Sequence, residues 1–373
     1  MIPLADPARE HARYQTEIEA AALRVLRSGH YILGPEVDSF ERAFGSYSGA
    51  KHVLGVSNGS DAIVVALQAL GVGPGDEVLT TAFSYFATAS VVTRVGATPV
   101  FVDIDPATFN LDPARVEGKL TPRTKAILAV HLFGRAAETD VLAEIAARRG
   151  VHLVEDVAQA AGAERKGRRT GSTGVIGCFS FFPAKPLGCD GDGGACVTDD
   201  DDLALRMRQV RVTGATSKNV HDLPGGNYRL DPLQAAILGA KLPHYEGRIA
   251  RRRANAESLR QGLHDVSSQL VLPTDDRDGR HVYAQFTVRH PRRDALKVAL
   301  EARGVGAEVY YPRPMPLQKV LASLGHRAGD FPHAERAAAE VLSIPTHSEL
   351  DDHEVVRVVE AMREAVAEVE ALG

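Results

Sequence analysis

An α/β architecture is the fold class this sequence predicts. Residues 1–243 form a large unit with a mostly parallel sheet sandwiched by helices, and residues 244–373 a smaller C-terminal α+β unit. Three observations predict it. Short continuous apolar runs alternate with segments of helical period, the pattern of strands buried on both faces. A chain of 373 residues exceeds one domain at about 150 residues each. From about His244 the pattern changes to shorter units.

The elements follow in order. Residues 8–29 carry a helical pattern that breaks at 29–35, and a second helix is expected over 36–47. A strand over 51–56 runs into Ser57-Asn58-Gly59-Ser60-Asp61, after which Ile63, Leu67 and Leu70 mark one helix face. Strand, small polar turn and helix expose N-terminal amides to an anion. The plainer reading is a cap by Ser60 or Asn58. Gly71-Val72-Gly73-Pro74-Gly75 follows a helix and precedes the strand 77–80, so it is a turn and not a dinucleotide loop. A helix over 87–95 and a strand over 98–102 come next. Apolar strands at 126–131 and 151–154 flank a helix over 141–149. Cys178, Phe179, Phe181 and Phe182 read as strand residues with little solvent character, ended by Pro183. Asp199 to Asp202 open a helix reaching Val210, as suits the helix dipole. Another helix spans 232–241. Arg248 and Arg251 to Arg253 in the next helical stretch read as a solvated face. The C-terminal unit is expected to hold a strand over 283–289, a helix over 292–303, a strand over 307–311 and a terminal helix from about Asp352.

Composition excludes several classes. The net charge is −5, which argues against nucleic acid or an anionic membrane surface as partner. No apolar run approaches a membrane span. The segment MIPLADPAREHARYQ has neither a basic nor an apolar leader region, so no signal peptide is expected. Cys178, Cys189 and Cys196 make neither a disulfide framework nor a zinc spacing, and they fit a reducing, cytoplasmic setting. There is no HExxH, no paired CxxC and no GxSxG, and the histidines are scattered.

In a parallel sheet, ligands lie outside the carboxyl ends of the strands. That rule selects Tyr85, His131, Asp156 and Gln159, with the stretch GCFSFFPAKPLGCDGDGGACV (177–197) as the next strand pair. Lys185 stands there beside strongly apolar residues. Apolar walls push a lysine pKa down, which suits an amine that attacks a carbonyl to form a Schiff base. A loop lysine that snorkels to water is the alternative. If the amine is reactive, pyridoxal phosphate is the covalent partner that matches the other residues. Asp156 would face the pyridine nitrogen, and Gly59, Ser60 and Asp61 at a helix start would hold the phosphate with help from Ser180. Tyr85 would cover a ring face and Gln159 would bond the ring oxygen. Each also has a plain reading: Asp156 as a cap, Tyr85 as core, Ser180 as a strand hydroxyl.

The chain resembles the DegT/DnrJ/EryC1/StrS sugar-nucleotide aminotransferases, pyridoxal phosphate enzymes of the aspartate-aminotransferase fold (fold type I). The resemblance runs through YILGPEV, SNGSDAIVVALQALGVGPGDEV, GATPVFVDIDPATFNLDP, TPRTKAILAVHLFG, VEDVAQAAGA, SFFPAKPLGCDGDGGA and GGNYRLDPLQAAIL, in the family's order. It implies that Lys185 is the Schiff-base lysine, Asp156 the ring-nitrogen partner and Gln159 the residue at the ring oxygen. It further implies phosphate contacts at Gly59, Ser60 and Ser180, and ring stacking by Tyr85. Asn227 is implied to reach the phosphate of the neighbouring subunit, making a homodimer with shared active sites. Arg229 is an implied carboxylate clamp, also from the neighbour, or else a loop salt bridge. L-glutamate is the implied donor and pyridoxamine 5'-phosphate the intermediate form of the cofactor.

Two departures bear on the acceptor. Where the family often has asparagine after the lysine, this chain has Pro186. With Cys189 and the VYYPRP run, which brings in Tyr310 and Tyr311 as substrate contacts, this resembles the branch aminating UDP-linked 3-keto N-acetylhexosaminuronic acid in surface-polysaccharide pathways such as O-antigen synthesis. Asp190 departs from that branch, which tends to an aromatic. The alternatives are a 3-keto or 4-keto dTDP-deoxysugar, a keto-cyclitol, a cofactor-binding sensor without turnover, or a dinucleotide oxidoreductase. The last lacks its GxGxxG.

Overall fold

The computed structural model describes residues 1–371 except 267, 275 and 277. Three helices lead the chain: α1 (Pro7–Arg13), α2 (Gln15–Ser28) and α3 (Pro35–Ser48). The expected helix over 8–29 is thus two. It breaks at Tyr14, whose ring stacks on His244 at 4.3 Å. Gly29 ends α2 at φ 72, a left-handed conformation that favours glycine.

The repeating part then reads β1 (His52–Val56), α4 (Gly59–Ala69), β2 (Glu77–Thr81), α5 (Ala87–Arg94), β3 (Thr98–Val102), β4 (Thr124–Val130), α6 (Thr139–Arg149) and β5 (His152–Asp156). Two short strands, β6 (Glu164–Arg165) and β7 (Arg168–Arg169), precede β8 (Ile176–Ser180), β9 (Gly194–Thr198) and α7 (Asp201–Arg211). A small hairpin of β10 (Ala215–Ser217) and β11 (Val220–His221) leads to α8 (Pro232–Lys241) and α9 (Tyr245–Gly262). The remainder is β12 (Gly279–Arg280), β13 (Phe286–Arg289), α10 (Arg293–Ala302), α11 (Pro332–Glu340), β14 (Val341–Ile344) and α12 (Asp352–Ala371).

The main sheet has seven strands in the order β1-β9-β8-β5-β4-β2-β3. Every neighbouring pair is parallel except the two that β9 makes with β1 and β8. Helix α4 is apolar nearly all round, which suits a helix enclosed between the sheet and other helices. Phe40 and Phe44 of α3, with α8 and the first turns of α9, cover the opposite face. Deleting a side chain such as Leu67 from this core would cost about 2–5 kcal/mol.

Strand periodicity decides which face of the sheet each residue serves. In β8, Cys178 packs on the α4 side and Phe179 on the α3 side. Phe181 continues on the α3 side, where Phe44 meets Phe179 and Phe181 edge-on at 5.0 and 5.3 Å. Ser180 therefore falls on the α4 side. Phe182 does not behave as expected: the strand ends at Ser180 and Phe182 is 52% exposed. The solvated-face reading of the arginines also fails for two of them. Arg248 and Arg252 are buried, because they occupy the same helical stripe as Tyr245, Ile249, Ala256 and Leu259.

A second core gathers α9, α10, α12, β13 and β14. The strand expected over 283–289 begins only at Phe286, since Tyr283 has φ 48. Residues 307–311 make a single bridge, Glu308 to Ser343, in place of a strand. The chain there turns toward the main sheet, and Met315 N–H bonds Ala82 O. Helix α11 and strand β14 were not legible in the sequence.

Candidate active site

The carboxyl ends of β2, β4, β5 and β8 border a cavity of about 740 Å³. Gly59, Ser60, Tyr85, Asp156, Gln159, Ser180, Lys185, Tyr310 and Tyr311 all line it. Asn227 and Arg229 do not. They lie beyond the edge strand, where Arg229 bridges Val56 and donates to Asn227 Oδ1 at 2.8 Å.

Asp156 ends β5 on the α4–α5 side of the sheet and is buried. Its Oδ1 accepts from Ala158 N–H at 3.1 Å, and its Oδ2 from the Thr88 hydroxyl at 3.1 Å. Burial raises its pKa, against the pull of those two bonds and of the nearby Lys185. Lys185 sits near the tip of the loop after β8 and is half-buried. Burial pushes its amine down to about 8, with Asp156 opposing. Both groups are thus drawn toward neutrality by the same apolar enclosure.

The helix start that faces this pair is α4. Asn58 is its cap, accepting from Asp61 N–H at 2.8 Å, so of the two caps foreseen Asn58 serves. The Asp61 carboxylate is engaged by Arg94 at 2.7 Å and by the Ser57 hydroxyl at 2.6 Å. That pairing offsets a negative charge in the first turn and leaves the positive helix end available to an anion. Gly59 lies hard against Ser180: a Cβ there would stand 2.6 Å from Ser180 Cβ. Only glycine lets the first-turn amides and the Ser180 hydroxyl share one space.

The cavity also has an aromatic lining. Gln159 is buried, with Oε1 accepting from Phe133 N–H at 2.7 Å and Nε2 donating to the Tyr311 hydroxyl at 3.0 Å. One amide proton of Gln159 remains for a ligand. Tyr85 is 60% exposed, its ring 6.0 Å from that of Tyr311. Beneath the cavity, Glu155 is fully buried and accepts from Gly171, Thr173 and Gly174 N–H groups and from His131 Nε2. His131 Nδ1 accepts from Ala137 N–H, which makes the ring the neutral Nε2–H tautomer.

Residue-type reasoning did not single out Thr88, Arg94, Asp192 or Gln285, which also line the cavity. A threonine inside an apolar helix carries no signal of its own. The acid–base pair Asp61 and Arg94 is set by helix packing, not by spacing. Of the residues behind the substrate resemblance, Tyr310 and Tyr311 line the cavity, whereas Cys189 and Asp190 lie outside it. Cys189 is buried under the loop, its thiol bonded to Phe181 O at 2.9 Å and pushed up to about 11 by burial. Asp190 pairs with Lys241 at 2.6 Å, which accounts for a carboxylate in place of an aromatic.

A half-buried amine, a buried carboxylate, an anion cradle that a Cβ would fill and an aromatic wall fit a flat ring with a carbonyl, a ring nitrogen and an anionic tail. Among the described residues no group of three or more His, Cys, Asp or Glu could hold a metal ion. No helix among the described residues is long and apolar enough to cross a membrane.

Residues 13–363 match the DegT/DnrJ/EryC1/StrS aminotransferase family. The chain is 47% identical to a pleiotropic regulatory protein of Geobacillus stearothermophilus, covering 97% of this chain and 98% of that one. It is 44% identical to the UDP-2-acetamido-2-deoxy-3-oxo-D-glucuronate aminotransferase of Pseudomonas aeruginosa, covering 94% and 96%. It is 43% identical to the dTDP-3-amino-3,4,6-trideoxy-alpha-D-glucose transaminase of Streptomyces venezuelae, covering 97% and 96%. Among solved structures, S. venezuelae DesV with a ketimine intermediate superposes with a TM-score of 0.95 at 43% identity, covering 98% of each chain. Bacillus subtilis NtdA with bound cofactor PMP gives 0.91 at 31%, covering 98% of this chain and 85% of that one.

Proposed function

The chain belongs to the DegT/DnrJ/EryC1/StrS aminotransferase family, and from that premise we propose that it moves an amino group from L-glutamate to a keto-sugar nucleotide. It is a sugar aminotransferase that works with pyridoxal phosphate. The acceptor we assign is a UDP-linked 3-keto N-acetylhexosaminuronic acid, as the name of the Pseudomonas relative suggests. The observation that carries the reading is the shared cavity of Lys185, Asp156 and the pinned start of α4.

Bound there, pyridoxal phosphate supplies a carbonyl that exchanges amines and a ring that accepts electrons. Lys185 is the amine that would hold it. A nitrogen held near pH 8 can take a proton from a substrate carbon and return it, so Lys185 Nζ is also the general base and acid. Asp156 would face the ring nitrogen, oriented by Thr88 and Ala158 N–H. The amides of Gly59 and Ser60 and the Ser180 hydroxyl would hold the phosphate. Tyr85 would cover the ring, and the remaining Gln159 amide proton would bond its oxygen. Glutamate loses its amino group and leaves as 2-oxoglutarate; the keto carbon of the sugar gains it.

Asn227 and Arg229 lie outside the cavity of their own chain, which suits service in a neighbour's site, and we infer a homodimer with shared sites on that basis. Tyr310 and Tyr311 would meet the sugar. Residues 1–243 and 244–373 are read as a cofactor unit and a smaller unit. The separate core of α10, α12 and β13–β14 supports this, although α9 spans both cores and Ile2 packs on the second. The cysteines are free thiols, as a cytoplasmic setting would keep them.

The test is spectroscopic and then kinetic. Purified protein should be yellow, glutamate should bleach the colour, and Lys185→Ala should lack it. A keto-substrate panel should then give turnover with the UDP-linked 3-keto uronic acid. Turnover only with dTDP-deoxysugars or keto-cyclitols would replace the acceptor; a wild type that takes up no pyridoxal phosphate would sink the whole reading.

A further inference from the structure

Helix α8 places a buried cation under the loop that carries Lys185. Lys241 ends that helix and is 3% exposed. Its ammonium donates to Gly188 O at 2.9 Å and to Asp190 Oδ1 at 2.6 Å, and Glu10 Oε1 lies 3.5 Å away. Two of the three ammonium protons are thus given to acceptors, and Glu10 adds an ion pair. A buried cation without partners would be strongly disfavoured, so the contacts hold the loop as firmly as the loop holds them.

These contacts fall on the arm of the loop that descends from Lys185. The same arm is fixed by two more bonds: Asp190 N–H to Gln234 Oε1 at 2.9 Å, also from α8, and Cys189 N–H to Phe181 O at 2.8 Å. Pro183, Ala184 and Lys185 line a small cavity. Glu10, Arg248 and Arg252 line the same cavity. Arg248 pairs with Glu10, and His11 approaches the other carboxylate oxygen of Asp190 at 3.3 Å. The charged groups facing Lys241 are therefore Glu10 and Asp190, with Arg248, Arg252 and His11 behind them.

We propose that Lys241 is a positioning residue for amine transfer: through Gly188 and Asp190 it sets where the Lys185 amine stands relative to Asp156. The inference rests on Lys185 being the reactive amine. Lys241 does not line the cavity that holds Lys185 and Asp156, and it serves only through the loop. A displacement of about 1 Å at a reacting group can cost about 100-fold in rate, so a slack loop should be felt in the reaction before it is felt in substrate binding.

The experiment compares wild-type holoenzyme with Lys241→Met, Lys241→Arg and Asp190→Asn. Three quantities are read: the pH midpoint of the bound cofactor's visible band, the single-turnover rate at which glutamate discharges it, and the melting temperature. Lys241→Met should slow the glutamate step by about 100-fold, leave its half-saturating glutamate concentration nearly unchanged, and move the pH midpoint. Lys241→Arg should restore most of both, and Asp190→Asn should fall between. A folded Lys241→Met with wild-type midpoint and rate overturns the proposal, even if it melts earlier, because that would be support of the fold alone. Should Lys241→Met not fold, a wild-type midpoint and rate in Asp190→Asn overturns it equally. A wild type that never binds the cofactor overturns the reading of Lys185, and this proposal with it.

Discussion

Thr88 donates its hydroxyl proton to Asp156 Oδ2 across 3.1 Å, tying the first turn of α5 to the end of β5. The carboxylate is buried, so this bond does two things: it favours the charged form against burial, and it fixes the plane of the acid. Thr88→Val keeps the shape and removes the donor. Hydrogen bonds to charged groups contribute about 1.5–3 kcal/mol. The variant should therefore bind pyridoxal phosphate more weakly, by roughly tenfold, with the pKa of Asp156 higher still. Titration of apoprotein with cofactor, followed by its visible band, checks this. Unchanged affinity would mean the acid needs no such support.

Gly59 and Ser180 are the next pair. A methyl group at Gly59 would stand 2.6 Å from Ser180 Cβ, closer than two non-bonded carbons can approach. Gly59→Ala should push the start of α4 off β8 and cost about 1–3 kcal/mol of stability, as overpacking does. If these residues hold a phosphate, the loss of affinity should be large for pyridoxal phosphate and absent for pyridoxal. Equal losses for both would remove the helix start from the phosphate site.

Lys185 yields a pH prediction. Its folded-state pKa is about 8 against an ordinary 10.5. Between those values the unfolded chain binds more protons than the folded one, so stability rises with pH across that window. Below pH 8 the cost of burying the charge is fully present. In the apoprotein, Lys185→Met should thus be more stable than wild type at neutral pH, by on the order of 2 kcal/mol. The difference should shrink from pH 8 upward and vanish above 10.5. Urea denaturation across that range checks it; a pH-independent difference would show the amine to be freely solvated.

Much of this site is legible in the sequence, and the reason is periodicity. Strand alternation sends Phe179 and Phe181 to one face and leaves Ser180 on the other, while the parallel-sheet rule points to Asp156 and Gln159. The rest depends on packing that no local pattern encodes. Thr88 looks like any helix threonine. Arg248 and Arg252 look like surface charge until α9 is laid in register with Tyr245 and Ile249. Lys241 carries no local signal for the same reason: its acceptors lie on α1 and on the loop after β8, far away in sequence.

Glu155 shows the structural cost of holding the strand ends in place. It is fully buried and receives three backbone N–H groups besides His131, and those donors, with the histidine, hold its pKa below the ordinary value despite burial. A carboxylate with a depressed folded pKa contributes stability above its unfolded value. That contribution is lost as pH falls through the folded value. Glu155→Gln places amide protons against donors and should destabilise the protein by about 3 kcal/mol while leaving the cavity walls unaltered. Wild type should lose this advantage over the variant as the solution is acidified. Parallel melts from neutral to acid pH would expose a constant difference if the carboxylate were not ionised.

The last prediction concerns Asn227 and Arg229, which bond each other at 2.8 Å outside the cavity of their own chain. Residues held in that way are either a local hydrogen-bonded loop or the contribution of one subunit to another. A two-fold dimer makes the second case reciprocal: each site would be built from Lys185 of one chain and Asn227 of the other. Lys185→Ala and Asn227→Ala should then each be inactive alone. Unfolded together and refolded as a mixture, they should form dimers in which one site has both native residues, and activity should return. Activity in Asn227→Ala alone, or none in the mixture although mixed dimers form, would confine each site to a single chain.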